Sequence, residues 1–381
     1  MRRWAGRAAA AIGIWALCFT AGCGTFFVYT GTLNGGGTTT PGTGDYVYVA
    51  NATTQTLAGF SVGTGTLTAV SGSPYSLGFV PTALAVNPTN TLLFVGGNNA
   101  IYAYAIDSGS GALSALNSGS AVGLASAASM DVSPNGQWLA VLDKNNITVD
   151  EFQITNTSTG ALAEVATPNY PVLPGATVVA QVVKFAPNGN TLFAALGTAG
   201  YVAYAFNSAT GALSNPVTPQ TWTLTTSAQS LAITPDSLYL YLATSGASGG
   251  SLTAYSIVSG GLATLGSPVA AGSQPVSVVL NKAGTDVYVA NQQSSNISGY
   301  SINASNGTLM ALNPATNSAT SPPLALAVDN SGTYLLAIAN GGNPDLAMYS
   351  YDSTTTGKLD FSTSAKTGND PTGPIAMAAT H

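Results

Sequence analysis

Charge is nearly missing from this chain of 381 residues, of which only 6% are Asp, Glu, Lys or Arg. All three arginines (Arg2, Arg3 and Arg7) stand in the first seven residues, and beyond them five lysines face 14 carboxylates. A surface without arginine and with that balance is unsuited to a phosphate backbone, which excludes nucleic acid as a partner and disfavours anionic membrane surfaces. Cysteine occurs twice, as Cys18 and Cys23. Cleavage before Cys23 leaves no pair for an intramolecular disulfide, so the fold must stand on packing alone. Histidine occurs once, as His381, the last residue, where fraying is expected. No Ser-His-Asp triad or Cys/His nucleophilic pair can be assembled, and zinc lacks its customary nitrogen and sulfur ligands.

What remains is 45% hydrophobic, with 44 glycines and 20 prolines. That composition argues against disorder and for many short strands joined by tight turns. The length allows one large domain or two ordinary ones.

The first 23 residues read as an address. A basic stretch precedes an apolar run from Ala8 to Phe19 that is too short for a comfortable membrane span, and small residues follow. Thr20-Ala21-Gly22-Cys23 resembles a bacterial lipobox, with Thr20 where Leu is usual; this implies a lipoprotein signal over residues 1–22 and lipidation of Cys23. Ordinary cleavage nearby without lipid is the other reading. Gly24, rather than Asp, after Cys23 favours the outer membrane in a host that has one. Residues 30–44 are charge-free and rich in Gly and Thr, the composition of a flexible tether, so residues 23–44 are expected to hold a folded domain over 45–381 away from a membrane.

That domain is repetitive. A turn glycine followed two residues later by leucine recurs as Gly65/Leu67, Gly111/Leu113, Gly160/Leu162, Gly211/Leu213, Gly260/Leu262, Gly307/Leu309 and Gly357/Leu359, with leucines 46, 49, 51, 49, 47 and 50 residues apart. An aromatic in an alternating apolar run precedes each pair, from Phe60 and Tyr104 to Tyr300 and Tyr349, and a second strand-like run lies upstream of each aromatic. Each unit thus holds four strand candidates and no helical period. One strand of each unit is displaced: the runs at 83–86, 129–132, 182–185, 230–233, 277–280 and 325–328 make six, and the seventh is Ile375–Ala378, near the C-terminus. Units of roughly 40–50 residues with four strands are propeller blades. The predicted fold is therefore all-β, a seven-bladed propeller of four-stranded antiparallel blades in which the C-terminal strand completes the first blade.

Ser133-Pro134-Asn135-Gly136, Tyr288-Val289-Ala290-Asn291, Thr210-Gly211-Ala212-Leu213 and Gly72-Ser73-Pro74 carry a likeness over about residues 45–380. The chain resembles the lactonase-type seven-bladed propellers, the family of bacterial 6-phosphogluconolactonases and a muconate-lactonizing enzyme. Its Tyr-Val-Ala-Asn runs are also similar to surface-layer propeller repeats. The resemblance implies the fold and opens the possibility of lactone hydrolysis. It does not carry over the active site: the muconate-lactonizing member uses His, Arg and Glu in its channel, and the aligned inner strands here have none of them.

On those strands one aligned position reads Ala85, Asp131, Lys184, Ala232, Val279, Ala327 and Ala378. Asp131 and Lys184 stand at one height on neighbouring blades, either as a structural ion pair or as a site in which Lys184 anchors a carboxylate or lactone oxygen and Asp131 acts as base or orienter. Asp143-Lys144-Asn145-Asn146 reads as a polar hairpin turn, because a calcium loop would need a turn glycine and a closing glutamate. Glu151 and Glu164 read as solvated surface of the third blade. No cofactor is implied, with a divalent metal left open. The leading expectation is an exported, lipid-anchored, monomeric and non-catalytic propeller at the cell envelope that binds a glycan or an envelope protein. The alternative is a hydrolase of an uncharged sugar lactone.

Overall fold

The computed structural model describes residues 44–146, 148–166, 177–218, 222–258, 261–339 and 341–381. The signal segment, Cys23 and most of the tether lie outside the described residues, as does Gly260 of the repeat. Among the described residues the chain forms seven four-stranded antiparallel blades and a short added strand, Tyr75–Ser76, in the first blade. The inner strands are Pro374–Ala379 for blade one, then Pro81–Val86, Ala127–Val132, Val178–Phe185, Ser227–Ile233, Pro275–Leu280 and Pro323–Val328 for blades two to seven. Each inner strand lies against the inner strands of both neighbouring blades, so the seven make a complete ring.

The alternating sequence explains how blades stack. Successive side chains of a strand point to opposite faces, and both faces of a blade are covered by neighbours. In the strand Tyr46–Asn51, Tyr46, Tyr48 and Ala50 face blade two, while Val47 and Val49 face blade seven. The core is accordingly divided into seven apolar clusters, one for each junction between blades. The turn glycine is part of this packing. Gly111 has φ +69°, and a Cβ there would lie 2.3 Å from the Tyr46 ring of the preceding blade. Tyr48 Oη donates to the Gly111 carbonyl across the same junction, at 2.8 Å.

Closure follows the displaced strand. Pro374–Ala379 pairs with Tyr46–Asn51 from Val47↔Ala379 to Asn51↔Pro374. At the end where the inner strands begin, Thr367 Oγ1 donates toward Asp345 at 2.9 Å and lies 3.0 Å from Asn51 Oδ1, joining blade seven to blade one in a buried polar clamp.

Candidate functional site

Small residues line the channel because seven inner strands crowd one axis, but some of them also tie the blades together. Val183 N–H donates to Ser129 Oγ at 3.2 Å, Val278 N–H to Ser230 Oγ at 3.1 Å and Leu326 N–H to Ser277 Oγ at 3.0 Å. Each serine thus accepts from the inner strand of the next blade. Asp131 extends the same pattern, since its Oδ2 accepts the Phe185 N–H at 2.8 Å. Its other oxygen meets Lys184 Nζ at 3.1 Å. The structure therefore brings together the two residues singled out by alignment. The Lys184 side chain keeps 45% of its exposure and Asp131 21%, so the ammonium has solvent-facing donors to offer a ligand.

Both residues lie at the end of the channel where the inner strands run out. The position that opens the following turn reads Pro88, Pro134, Pro187, Pro235, Lys282, Asn330 and His381 around the ring. Blades six, seven and one thus contribute a polar sector facing the Asp131–Lys184 pair. Lys282 Nζ donates to the Asn330 carbonyl. Beside it, Asp45 Oδ1 and Oδ2 accept the Asn330 and Ser331 N–H groups at 3.1 Å each. Burial, with help from neighbouring Asp329, pushes the Asp45 carboxyl up to about 6.

His381 is not frayed. Its N–H donates to Asn90 Oδ1 at 3.1 Å, and Asn90 Nδ2 donates back to its carbonyl at 2.7 Å. The residue is exposed, and desolvation at the ring together with Lys184 and Lys282 lowers its imidazole from the usual value, while Asp131 raises it. Its backbone places it just past the inner strand of blade one, at the same end of the ring as Asp131 and Lys184 on the inner strands of blades three and four. Sequence reasoning dismissed His381 for its terminal position. The signal that could have found it is its equivalence to Lys282, one residue past the inner strand and its turn anchor.

Glu151 is a second correction. It is fully buried on the third strand of blade three, where Val149, two residues earlier, packs into the junction with blade four. Neither carboxylate oxygen has a hydrogen-bond partner, and burial, with the nearby Asp150, pushes its pKa well up. Glu164 lies on the outer strand, Ala161–Ala166, and is exposed. The run from Asp143 is a turn, as expected: Asp143 Oδ1 accepts the Asn145 and Asn146 N–H groups at 2.7 and 2.8 Å, and Oδ2 accepts that of Ser126 at 2.7 Å. Among the described residues no three His, Cys, Asp or Glu side chains gather as a set of metal ligands.

The fold and the channel define a propeller of the lactonase type. Residues 129–323, half of the chain and inclusive of Asp131 and Lys184, match the family described as Lactonase, 7-bladed beta-propeller, and the chain belongs to that family. No curated protein matches the sequence. Among solved structures, a Bacteroides fragilis protein provisionally named a 6-phosphogluconolactonase is similar at 17% identity, over 89% of this chain and 98% of that one, with a TM-score of 0.70. The periplasmic gluconolactonase of Pseudomonas aeruginosa is similar at 18% identity, over 88% and 99%, with a TM-score of 0.69. The hydrazine synthase of Kuenenia stuttgartiensis is similar at 14% identity over 77% and 88%, with a TM-score of 0.56. Likeness at that identity is likeness of fold, and the fold hosts unrelated chemistry.

Proposed function

We propose that this chain is an exported, monomeric, lipid-anchored hydrolase that opens an uncharged sugar lactone at the end of the channel marked by Lys184. The observation that carries the proposal is that the lactonase-family match spans the one pair of opposite charges on the aligned inner-strand position, Asp131 and Lys184. Family membership favours this reading over a non-catalytic scaffold.

The chemistry divides among three side chains. The Lys184 ammonium donates to the lactone carbonyl oxygen and stabilises the negative charge that develops there as water adds. Asp131 holds the ammonium in place, since one of its oxygens is fixed by a backbone N–H and the other by Lys184. His381, whose lowered pKa favours the neutral imidazole, takes the proton from the attacking water and returns it to the ring oxygen as the acyl C–O bond breaks, releasing the hydroxy acid. An uncharged substrate suits this end of the channel. Lys184 is matched by Asp131, Lys282 is spent on a carbonyl, and no arginine past residue 7 offers a fork to a phosphate.

The test is hydrolysis of D-glucono-1,5-lactone and its 6-phosphate above the spontaneous rate, with EDTA and with added divalent metal. The neutral lactone should turn over, and Lys184→Met should lose roughly 100-fold or more of kcat/KM while melting like the parent. A folded protein without turnover of any aldonolactone tried would overturn the hydrolase reading and return attention to binding.

A further inference from the structure

Away from the axis, blade five holds an open surface cleft of about 300 Å³ between the segment that enters it and its second, third and outer strands. None of the residues lining it is charged. Two are the aromatics Trp222 and Tyr255, and six are Ser or Thr. The hydroxyls are arranged in pairs at two places: Thr223 and Thr226 share a hydrogen bond of 2.8 Å, as do Thr244 and Ser251.

The aromatic side is buttressed from behind. Tyr201 of blade four meets Trp222 edge-on, with centroids 6.4 Å apart and rings at 90°, and meets Tyr255 at 5.8 Å and 68°. The indole N–H of Trp222 is buried and has no hydrogen-bond partner. Packing alone therefore sets that ring in place, although tryptophan usually finds a partner for its N–H when buried.

A charge-free wall cannot offset the desolvation of an ion, so ionic ligands are disfavoured. Hydroxyls donate or accept as the partner requires, which suits a ligand that itself carries several hydroxyls. Aromatic faces suit the C–H side of a saturated ring, and the volume is at the small end of the range for ligand pockets. We propose that this cleft binds a neutral hydroxylated ring, one pyranoside unit of a glycan. The site shares no residue with the channel, and it goes beyond the lactone reading by giving the propeller a second, non-reacting hold on carbohydrate.

The probe is a panel of neutral methyl pyranosides (gluco, galacto, manno and N-acetylglucosamine forms) titrated into 15N-labelled protein while the tryptophan indole N–H resonances are followed. Trp222→Phe assigns the Trp222 signal by its loss, and Trp138, buried between blades three and four, serves as internal reference. At least one glycoside should move the Trp222 resonance saturably, leave Trp138 unmoved, and do so equally in Lys184→Met. Thr253→Val should weaken that Kd about tenfold, the effect of one neutral hydrogen bond left unmade. No saturable shift with any panel member would overturn the proposal, and so would a shift abolished by Lys184→Met, which would put the sugar in the channel. Lactone turnover enters neither outcome, so this proposal and the hydrolase reading can fail separately.

Discussion

Thr380 Oγ1 accepts the Tyr46 backbone N–H at 2.9 Å although 334 residues separate the two. The same bond is local elsewhere in the ring. Asn87 accepts from Leu92, Ser133 from Trp138, Thr234 from Tyr239, Asn281 from Asp286 and Asp329 from Tyr334, each five residues on. The first turn is therefore an ordinary turn of the repeat with its covalent link cut and remade by hydrogen bonds. A chain lacking residues 374–381 should lose cooperative unfolding in calorimetry, because blade one loses its inner strand and blades seven and two lose a neighbour. Thr380→Val should keep the transition and cost about 1 kcal/mol, the worth of one hydrogen bond. Unchanged melting of the truncated chain would refute closure.

Glu151 makes a prediction about pH. Its folded-state pKa is raised, so between the unfolded value near 4.5 and the raised one the folded state binds more protons than the unfolded. Stability from this group is full below the unfolded value and is lost as pH rises through the folded one. Asp150, pushed up to about 6 mainly by burial, and Asp45, pushed up to about 6, act in the same direction. His381 opposes them, since a lowered imidazole favours folding as pH rises through the ordinary imidazole range. Comparing Glu151→Gln with the parent isolates the glutamate. The variant should be more stable at pH 7.5 by on the order of 1 kcal/mol, the scale for a buried polar group without a partner, and the gain should vanish near pH 4. Denaturant midpoints at the two pH values measure it, and an equal effect at both would contradict the assignment.

The fold was legible because its rules are periodic. The Gly/Leu spacing counted the blades, and the displacement of Ile375–Ala378 fixed where the ring closes. The candidate site was legible only in part. Asp131 and Lys184 stood out because charge breaks a ring of small residues. The second duty of Asp131, accepting the Phe185 N–H, is a contact between neighbouring blades that no single repeat contains. Glu151 misled for a related reason: a third strand looks like an outer strand from spacing alone, but here both its faces are covered by neighbouring blades. His381 was hidden by its place at the end of the chain, which in this topology is the end of an inner strand.

If His381 is the base, kcat/KM for a neutral lactone should fall on the acid side as the imidazole is protonated. Its pKa is held below 6.5, so activity should persist to lower pH than an unperturbed histidine would allow. His381→Gln should lose about 100-fold at pH 7 and flatten that limb. A limb that survives in His381→Gln would assign the titration to another group.

Two turn glycines separate backbone strain from packing. Gly65 and Gly111 share the conformation, with φ of +66° and +69°. A Cβ on Gly65 would meet nothing within 4 Å, whereas one on Gly111 would lie 2.3 Å from the Tyr46 ring. Gly65→Ala therefore incurs only the left-handed penalty, about 1–2 kcal/mol. Gly111→Ala adds displacement of Tyr46 and threatens the Tyr48–Gly111 hydrogen bond, so its total should reach about 3 kcal/mol or more. Pairing Gly111→Ala with Tyr46→Ala should recover the steric part, because the methyl group then has room. Parallel denaturation of Gly65→Ala, Gly111→Ala, Tyr46→Ala and the Gly111→Ala/Tyr46→Ala double variant decides the matter. Equal costs for the two glycines would mean that the repeat keeps glycine for its turn alone and that the aromatic contact across the blade junction is incidental.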